Sequence, residues 1–169
     1  MMQDLDIILI SIGTPVLCGL YQSKNGDLNL FDTITSAEKT LQALPTIFER
    51  ILPGEHQDCQ YQHLKLRRIF YANGPGSFTS LKLTHIFLHT LKILYDIELY
   101  ATSSFYFTTY PYLKAFGNQY FTQSHDNISL VSVDSVPSEA LQTAFHLPQT
   151  FNPKDFTQLT QPLYILPPI

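Results

Sequence analysis

Apolar residues in the first fifth of the chain fall in short runs. Asp6 to Ile12, Pro15 to Tyr21 and Asp27 to Thr33 are rich in Ile, Leu and Val, and each has the length of a strand rather than a helix. Gly13-Thr14 separates the first two runs. The second and third are joined by Gln22 to Gly26, where Asn25-Gly26 tolerates the positive φ values of a primed hairpin turn. The pattern predicts three antiparallel strands in meander order.

The period then lengthens. Leu41, Leu44, Phe48, Ile51 and Leu52 recur at helical spacing, and Pro53-Gly54 stops the run. Thr35 with Glu38 has the form of a capping box at its start, and Pro45 inside it predicts a kink or a restart. After a polar loop from Glu55 to Lys65, Leu66 to Ala72 reads as a strand. The glycine-rich turn "NGPGS" follows, then a helix from about Ser77 to Tyr95 and a short strand from Glu98 to Thr102. The predicted order is βββαβαβ.

Beyond Ser103 the pattern weakens. "SFYFTTYPYLKAFGNQYF" is predicted as a helix broken by Pro111, Asn127 to Val133 as a strand, and Ser138 as the cap of a helix reaching Phe145. Asn152-Pro153 opens a short helix, and Leu163 to Leu166 forms a last strand. Residues 1–104 make an N-terminal lobe and 105–169 a smaller C-terminal one.

Composition narrows the function classes. Charged residues are only 14% of the chain and aromatics 13%, which suggests a surface partly covered by a partner. A net charge of −4 with three arginines (Arg50, Arg67, Arg68) excludes a dedicated phosphate-tracking surface. Cys18 lies in an apolar strand and Cys59 in a polar loop; two thiols make neither a disulfide framework nor a metal quartet, which fits a reducing compartment. The N-terminus carries acids where a signal peptide needs positive charge, and no run reaches the roughly 20 apolar residues of a membrane span. A soluble cytoplasmic protein is expected, with no cofactor and no membrane association.

The turn "GPGSFT" poses the main chemical question. A helix N-terminus with flanking glycines can cradle a phosphate. However, the stretch is neither a Walker A loop nor a G-x-G-x-x-G fingerprint, since no third glycine follows. The residues favour a corner in which glycine permits the turn and Ser77 caps the helix.

On that helix Lys82, His85, His89, Lys92 and Asp96 form a polar stripe of about 80°. Leu81, Leu83, Ile86, Phe87, Leu88, Leu91, Ile93 and Leu94 fill most of the remainder, with Ser80, Thr84 and Thr90 between them. One side can pack on the sheet, and the other needs a second cover. His85 and His89 have metal-ligand spacing without a third ligand, so a solvated stripe is expected and no metal site.

The order βββαβαβ with "GPGSFTSLK" between strand and helix resembles the TsaB family, also called YeaZ. Gly74, Pro75, Gly76, Ser77, Phe78, Thr79 and Leu81 match the family hallmark, close to "GPGSFTGLR"; Ser80 replaces its glycine and Lys82 its arginine. Ser36 to Pro45, Thr102 to Thr108 and Pro162 to Leu166 are similar to further family segments. The resemblance implies an α/β, actin-like and ribonuclease-H-like lobe (the ASKHA fold) with a mixed sheet and a reduced C-terminal lobe. It also implies a non-catalytic subunit that supports a TsaD-like enzyme, together with a TsaE-like ATPase, in making threonylcarbamoyladenosine beside the anticodon of tRNAs reading A-starting codons. On that reading tRNA is contacted only indirectly, and the helices used for the partner can also form a homodimer.

Departures from the family pattern bear on chemistry. Gly13 stands where the family's first strand usually ends in aspartate. The histidine pair of TsaD-like relatives falls on Ser104 and Thr108, neither of which replaces an imidazole at a metal. No catalytic residue is therefore expected. The partner-binding side of the helix is expected to carry Ser80, Leu81, Thr84, Leu88 and Leu91. The alternatives are a stand-alone enzyme of the actin/sugar-kinase or glycopeptidase superfamily and a degenerate homodimeric interaction module.

Overall fold

The computed structural model describes residues 2–52, 60–142 and 144–165. Its first 102 residues follow the expected order: β1 (Gln3–Ile10), β2 (Val16–Lys24), β3 (Asp27–Ser36), α1 (Thr40–Glu49), β4 (Leu64–Ala72), α2 (Phe78–Tyr95) and β5 (Glu98–Thr102). The hairpin between β2 and β3 turns at Asn25 and Gly26, whose φ values of 56° and 88° are the primed geometry that this pair tolerates. Strand β1 pairs antiparallel with β2 and parallel with β4. Together with β9 (Thr150–Phe151) these strands form a six-stranded mixed sheet in the order β5-β4-β1-β2-β3-β9.

Both faces of this sheet are covered, and strand alternation decides which residue goes where. Leu5, Ile7 and Leu9 of β1 face α1 and α2, where they meet Ala43, Leu44, Ile47, Phe48 and Leu88. Ile8 and Ile10 face the opposite way, into a core shared with Phe107, Leu113, Phe121, Phe151 and Phe156. The pairing of β1 with β4 skips Arg67, so β4 carries one extra residue and its inward set changes parity from Leu64 and Leu66 to Ile69 and Tyr71. Near this irregularity Asp6 is 5% exposed and accepts two hydrogen bonds of 2.8 Å from the Arg68 guanidinium. The Asp6 bond is the largest cause holding Arg68 above its ordinary pKa.

The second half departs most from expectation. The segment after Ser103 makes one 3-10 turn (Ser104–Phe107) and then a separate antiparallel sheet of β6 (Tyr112–Lys114), β7 (Gln119–Ser124) and β8 (Asn127–Ser132), not a helix broken at Pro111. Its aromatic and β-branched residues suit a pleated, half-buried surface, and Gly117 with φ of 59° supplies the reversal between β6 and β7. The helix predicted from Ser138 to Phe145 is only a 3-10 turn over Ser138–Ala140. Asn152 does open a short 3-10 helix, its side chain accepting from the Lys154 amide at 3.0 Å. Residues 163–165 form no strand, and Leu166 lies outside the described residues, as do Pro53, Gly54, His56 and Cys59.

Two corrections concern α1. Thr35 belongs to β3, opposite Leu17, so it cannot cap the helix; the N-cap is Lys39, without a side-chain bond, and Ser36 Oγ instead accepts from the Glu38 amide. Ladder pairing outcompeted the cap. Pro45 does not interrupt α1. The donor it lacks would have served the carbonyl of Leu41, on the exposed side where water can take its place. No described helix is long and apolar enough to cross a membrane.

Replacing Asp6 with Ala removes both acceptors from Arg68 and leaves that cation short of a partner in a half-buried site. A loss of about 1.5–3 kcal/mol is expected for bonds to a charged group, read as a lower urea midpoint at unchanged slope.

Candidate functional site

The corner between β4 and α2 is built by close contact of backbones. Gly74 has φ of +127°, a conformation suited to glycine, and a Cβ there would stand 2.7 Å from the Leu163 carbonyl oxygen. At Gly76 a Cβ would lie 2.6 Å from Ile12 Cβ and 2.7 Å from its carbonyl oxygen. The Ser77 amide donates to that same Ile12 oxygen at 2.9 Å. Ser77 Oγ accepts from the Ser80 amide at 3.4 Å, so Ser77 caps α2 as its position in the sequence suggested. Phe78 and Thr79 open the helix and are exposed.

Other segments clasp the corner. Ser104 is fully buried; its amide donates to Gly74 O and its hydroxyl to Pro75 O, both at 2.8 Å. Thr108, the other position compared with a metal-binding histidine, donates its hydroxyl to Phe105 O at 3.2 Å. The C-terminal strand-like tail crosses the same place. Leu163 donates its amide to Asn73 O at 2.8 Å, Asn73 Nδ2 donates to Gln161 O at 3.0 Å, and Tyr71 Oη donates to Thr160 O at 3.1 Å. These tail contacts had no signal in the sequence, because none is local.

Helix α2 sits differently from the expected orientation. Ser80, Leu81, Thr84, Leu88 and Leu91, the side expected to meet a partner, are all buried within this chain. Thr40 Oγ1 donates to Ser80 Oγ at 2.9 Å, while Thr84 Oγ1 and Ser11 Oγ share a hydrogen bond of 2.6 Å. Leu88 and Leu91 join the core under α1, and Leu81 joins the core on the other side of the sheet. The small Ser80 and Thr84 let α2 approach both α1 and β1, so they serve the internal contact. The most exposed aliphatic residues of α2 are Ile86, Ile93 and Leu94, with Leu41 from α1; they are 63%, 83%, 66% and 62% exposed. Between the two helices runs a groove of about 240 Å³ whose lining includes Leu41, Pro45, Leu83, Ile86, Phe87 and Thr90 and no charged residue.

The polar stripe is also less open than its spacing implied. His85 and His89 are half-buried, their ring centres 4.2 Å apart, and Thr160 Oγ1 of the tail lies 3.3 Å from His89 Nε2. Burial foremost, then the neighbouring His85 and Lys92, lowers the His89 pKa. Among the described residues no three His, Cys, Asp or Glu converge on one point. Cys18 is fully enclosed, and burial pushes its thiol up to about 12, which removes it from thiolate chemistry at neutral pH.

A cleft of about 470 Å³ opens on the far side of the corner. The β1–β2 connection (Ile12, Gly13, Thr14) and the start of α2 form one wall; β6, β7 and the segment around Leu141 form the other. Among the described residues no carboxylate lines it. Gly13 borders this space, with nothing within 4 Å of where its Cβ would be.

No family model matches the chain, and no curated protein matches its sequence. Among solved structures it is similar to YeaZ from Pseudomonas aeruginosa, with a TM-score of 0.55 and 11% identity over 79% of this chain and 69% of that one. It is also similar to an uncharacterized protein described as having similarity to peptidase YeaZ from Pseudomonas aeruginosa, with a TM-score of 0.53 and 10% identity over the same shares.

Two measurements test the corner and the stripe. Gly76→Val forces a side chain against the Ile12 backbone and should cost about 1–3 kcal/mol, whereas Gly13→Ala, facing open space, should leave the urea midpoint nearly unchanged. Because the folded state favours neutral His89, the stability it contributes is present above the ordinary histidine pKa of about 6.5 and lost as pH falls below it. The thermal midpoint should therefore drop more between pH 7 and pH 5 in the wild type than in His89→Gln. Equal drops would remove His89 from the account.

The chain therefore has a YeaZ-like fold.

Proposed function

We propose that this chain is a TsaB-type, non-catalytic subunit that seats a TsaD-type enzyme on its α1–α2 face and so supports formation of threonylcarbamoyladenosine in tRNA. The observation that carries the reading is that face. Four large aliphatic side chains of α1 and α2 stand more than 60% exposed, and two of them, Leu41 and Ile86, line a groove with no charged residue among the described ones, on a fold similar to YeaZ. Exposed apolar surface of this kind is costly unless a partner covers it, and two adjacent helices offer ridges for another helical pair. The same face can close a homodimer when the enzyme is absent.

Electrostatics support an indirect relation to tRNA. The chain carries a net charge of −4, and two of its three arginines face carboxylates, Arg67 to Asp4 at 3.0 Å and Arg68 to Asp6 at 2.8 Å. The remaining lysines are outweighed, since 14 acids stand against 10 Lys and Arg in all. Binding of the purified chain to tRNA should be weak and nearly independent of salt. The turn "GPGSFT" then serves to aim α2, and the ATPase and the catalytic centre belong to other subunits. The rival stand-alone enzyme reading lacks support from the cleft, whose described lining offers no carboxylate.

The test pairs two variants with one readout. Ile86→Glu places a charge on the exposed face and should leave the thermal midpoint unchanged while weakening co-purification with a TsaD-type partner by tenfold or more. Leu88→Glu buries an unpaired charge in the core and should unfold the monomer. Mass spectrometry of tRNA nucleosides from a depleted strain should show loss of threonylcarbamoyladenosine, restored by wild type and not by Ile86→Glu. An unchanged modification level in the depleted strain would sink the reading.

A further inference from the structure

The cleft beside the corner is unused by the docking role, and its chemistry is specific enough to name a ligand class. Its volume of about 470 Å³ lies within the roughly 300–1,000 Å³ of small-molecule sites. Two walls from separate parts of the chain enclose it, so a ligand would be held on both sides. Phe78, Phe116, Phe121 and Phe145 supply aromatic surface, and Ile12 and Leu113 supply aliphatic surface. Phe116 and Phe121 stand edge to face, 6.4 Å apart at 85°, and Phe78 and Phe116 remain 39% and 40% exposed at the opening. Aromatic rings disposed in this way gain most from a further ring placed offset or edge-on.

Apart from Lys114, the polar side chains around the cleft are neutral. They are the hydroxyls of Thr14 and Ser77 and the amide of Gln142. Ser77 Oγ already accepts from the Ser80 amide, which leaves its proton to donate. Among the described residues Lys114 is the one cation on the lining, and its exposed Nζ is turned aside, donating to Gly117 O at 2.7 Å and lying 5.1 Å from the centre of the Tyr120 ring. A triphosphate would lose hydration among these rings with a single lysine, turned toward Gly117, as counter-charge and no carboxylate on the described lining to hold its metal. The Ser77 amide, which would otherwise be offered to an anion, is spent on Ile12 O.

We infer that this cleft binds a neutral, planar heteroaromatic of one or two rings, stacked among the phenylalanines, with its few polar atoms toward Ser77, Thr14 or Gln142. The site stands apart from the helix face, so its failure leaves the docking role untouched.

Gly13 provides the means of testing it. Its backbone lies outside the left-handed region and its missing Cβ faces open space in the cleft, so Gly13→Leu should fill the site without disturbing the fold. Indole is a suitable probe, with magnesium-ATP as the charged contrast, read by saturation-transfer NMR and by titration on the full chain. Indole should bind the wild type, be weakened tenfold or more in Gly13→Leu at unchanged thermal midpoint, and resist displacement by equimolar magnesium-ATP. Phe116→Ser, at the exposed rim, gives a second variant with the same expectation. Absence of indole binding, binding unaffected by both variants, or preferential binding of magnesium-ATP would each overturn the proposal.

Discussion

Ile12 O and the Ser77 amide meet at 2.9 Å, with the unsubstituted α-carbon of Gly76 pressed against Ile12. This contact locks the exit of β1 to the entrance of α2, and glycine is required because a Cβ would overlap main-chain atoms. From it follow the direction in which α2 leaves the sheet, the side of α2 that can reach β1, and the mouth of the cleft. The same corner receives Ser104 and the tail from residues 159 to 163, so segments far apart in sequence are tied to one small patch of backbone.

With α2 fixed there, the sheet must be covered twice. Its helical side is filled by Leu and Ile from five strands and both helices. The other side is filled largely by aromatic rings, among them Tyr21, Phe70, Phe151 and Phe156, which meet edge to face at 4.8 to 5.6 Å. Those rings come partly from β9 and the tail, which run back to the first sheet. The C-terminal third is thereby a cover for the large sheet as well as a wall of the cleft.

The surface that results has its unusual features in two separate places. Aliphatic side chains crowd the outside of α1 and α2, and phenylalanines line the cleft behind the corner, while a cluster of charges gathers elsewhere around Asp4, Asp6, Arg67, Arg68 and Glu98. Hydrophobic contact is what the first two places can offer. The proposed docking role uses the helix face and the proposed ligand uses the cleft, and neither asks the chain for a nucleophile or a metal.

Sequence alone determined the meander, both helices, the primed turn at Asn25-Gly26, the cap at Ser77 and the role of "GPGS" as a corner, because each depends on neighbours within a few residues. It also placed the resemblance to YeaZ, which rests on that corner and its flanking elements. Tertiary structure decided which side of α2 is inside. The helix is apolar over most of its circumference, so periodicity cannot choose between Leu88 and Ile86; the choice was made by Ser80 and Thr84 meeting Thr40 and Ser11. Thr35 went to a strand, and residues 112–132 became a sheet, because ladder partners far along the chain outweighed local caps and helix periodicity. The cleft and the clasp of the tail over Asn73 were likewise decided at that level, since their residues are neighbours only once the two sheets have packed.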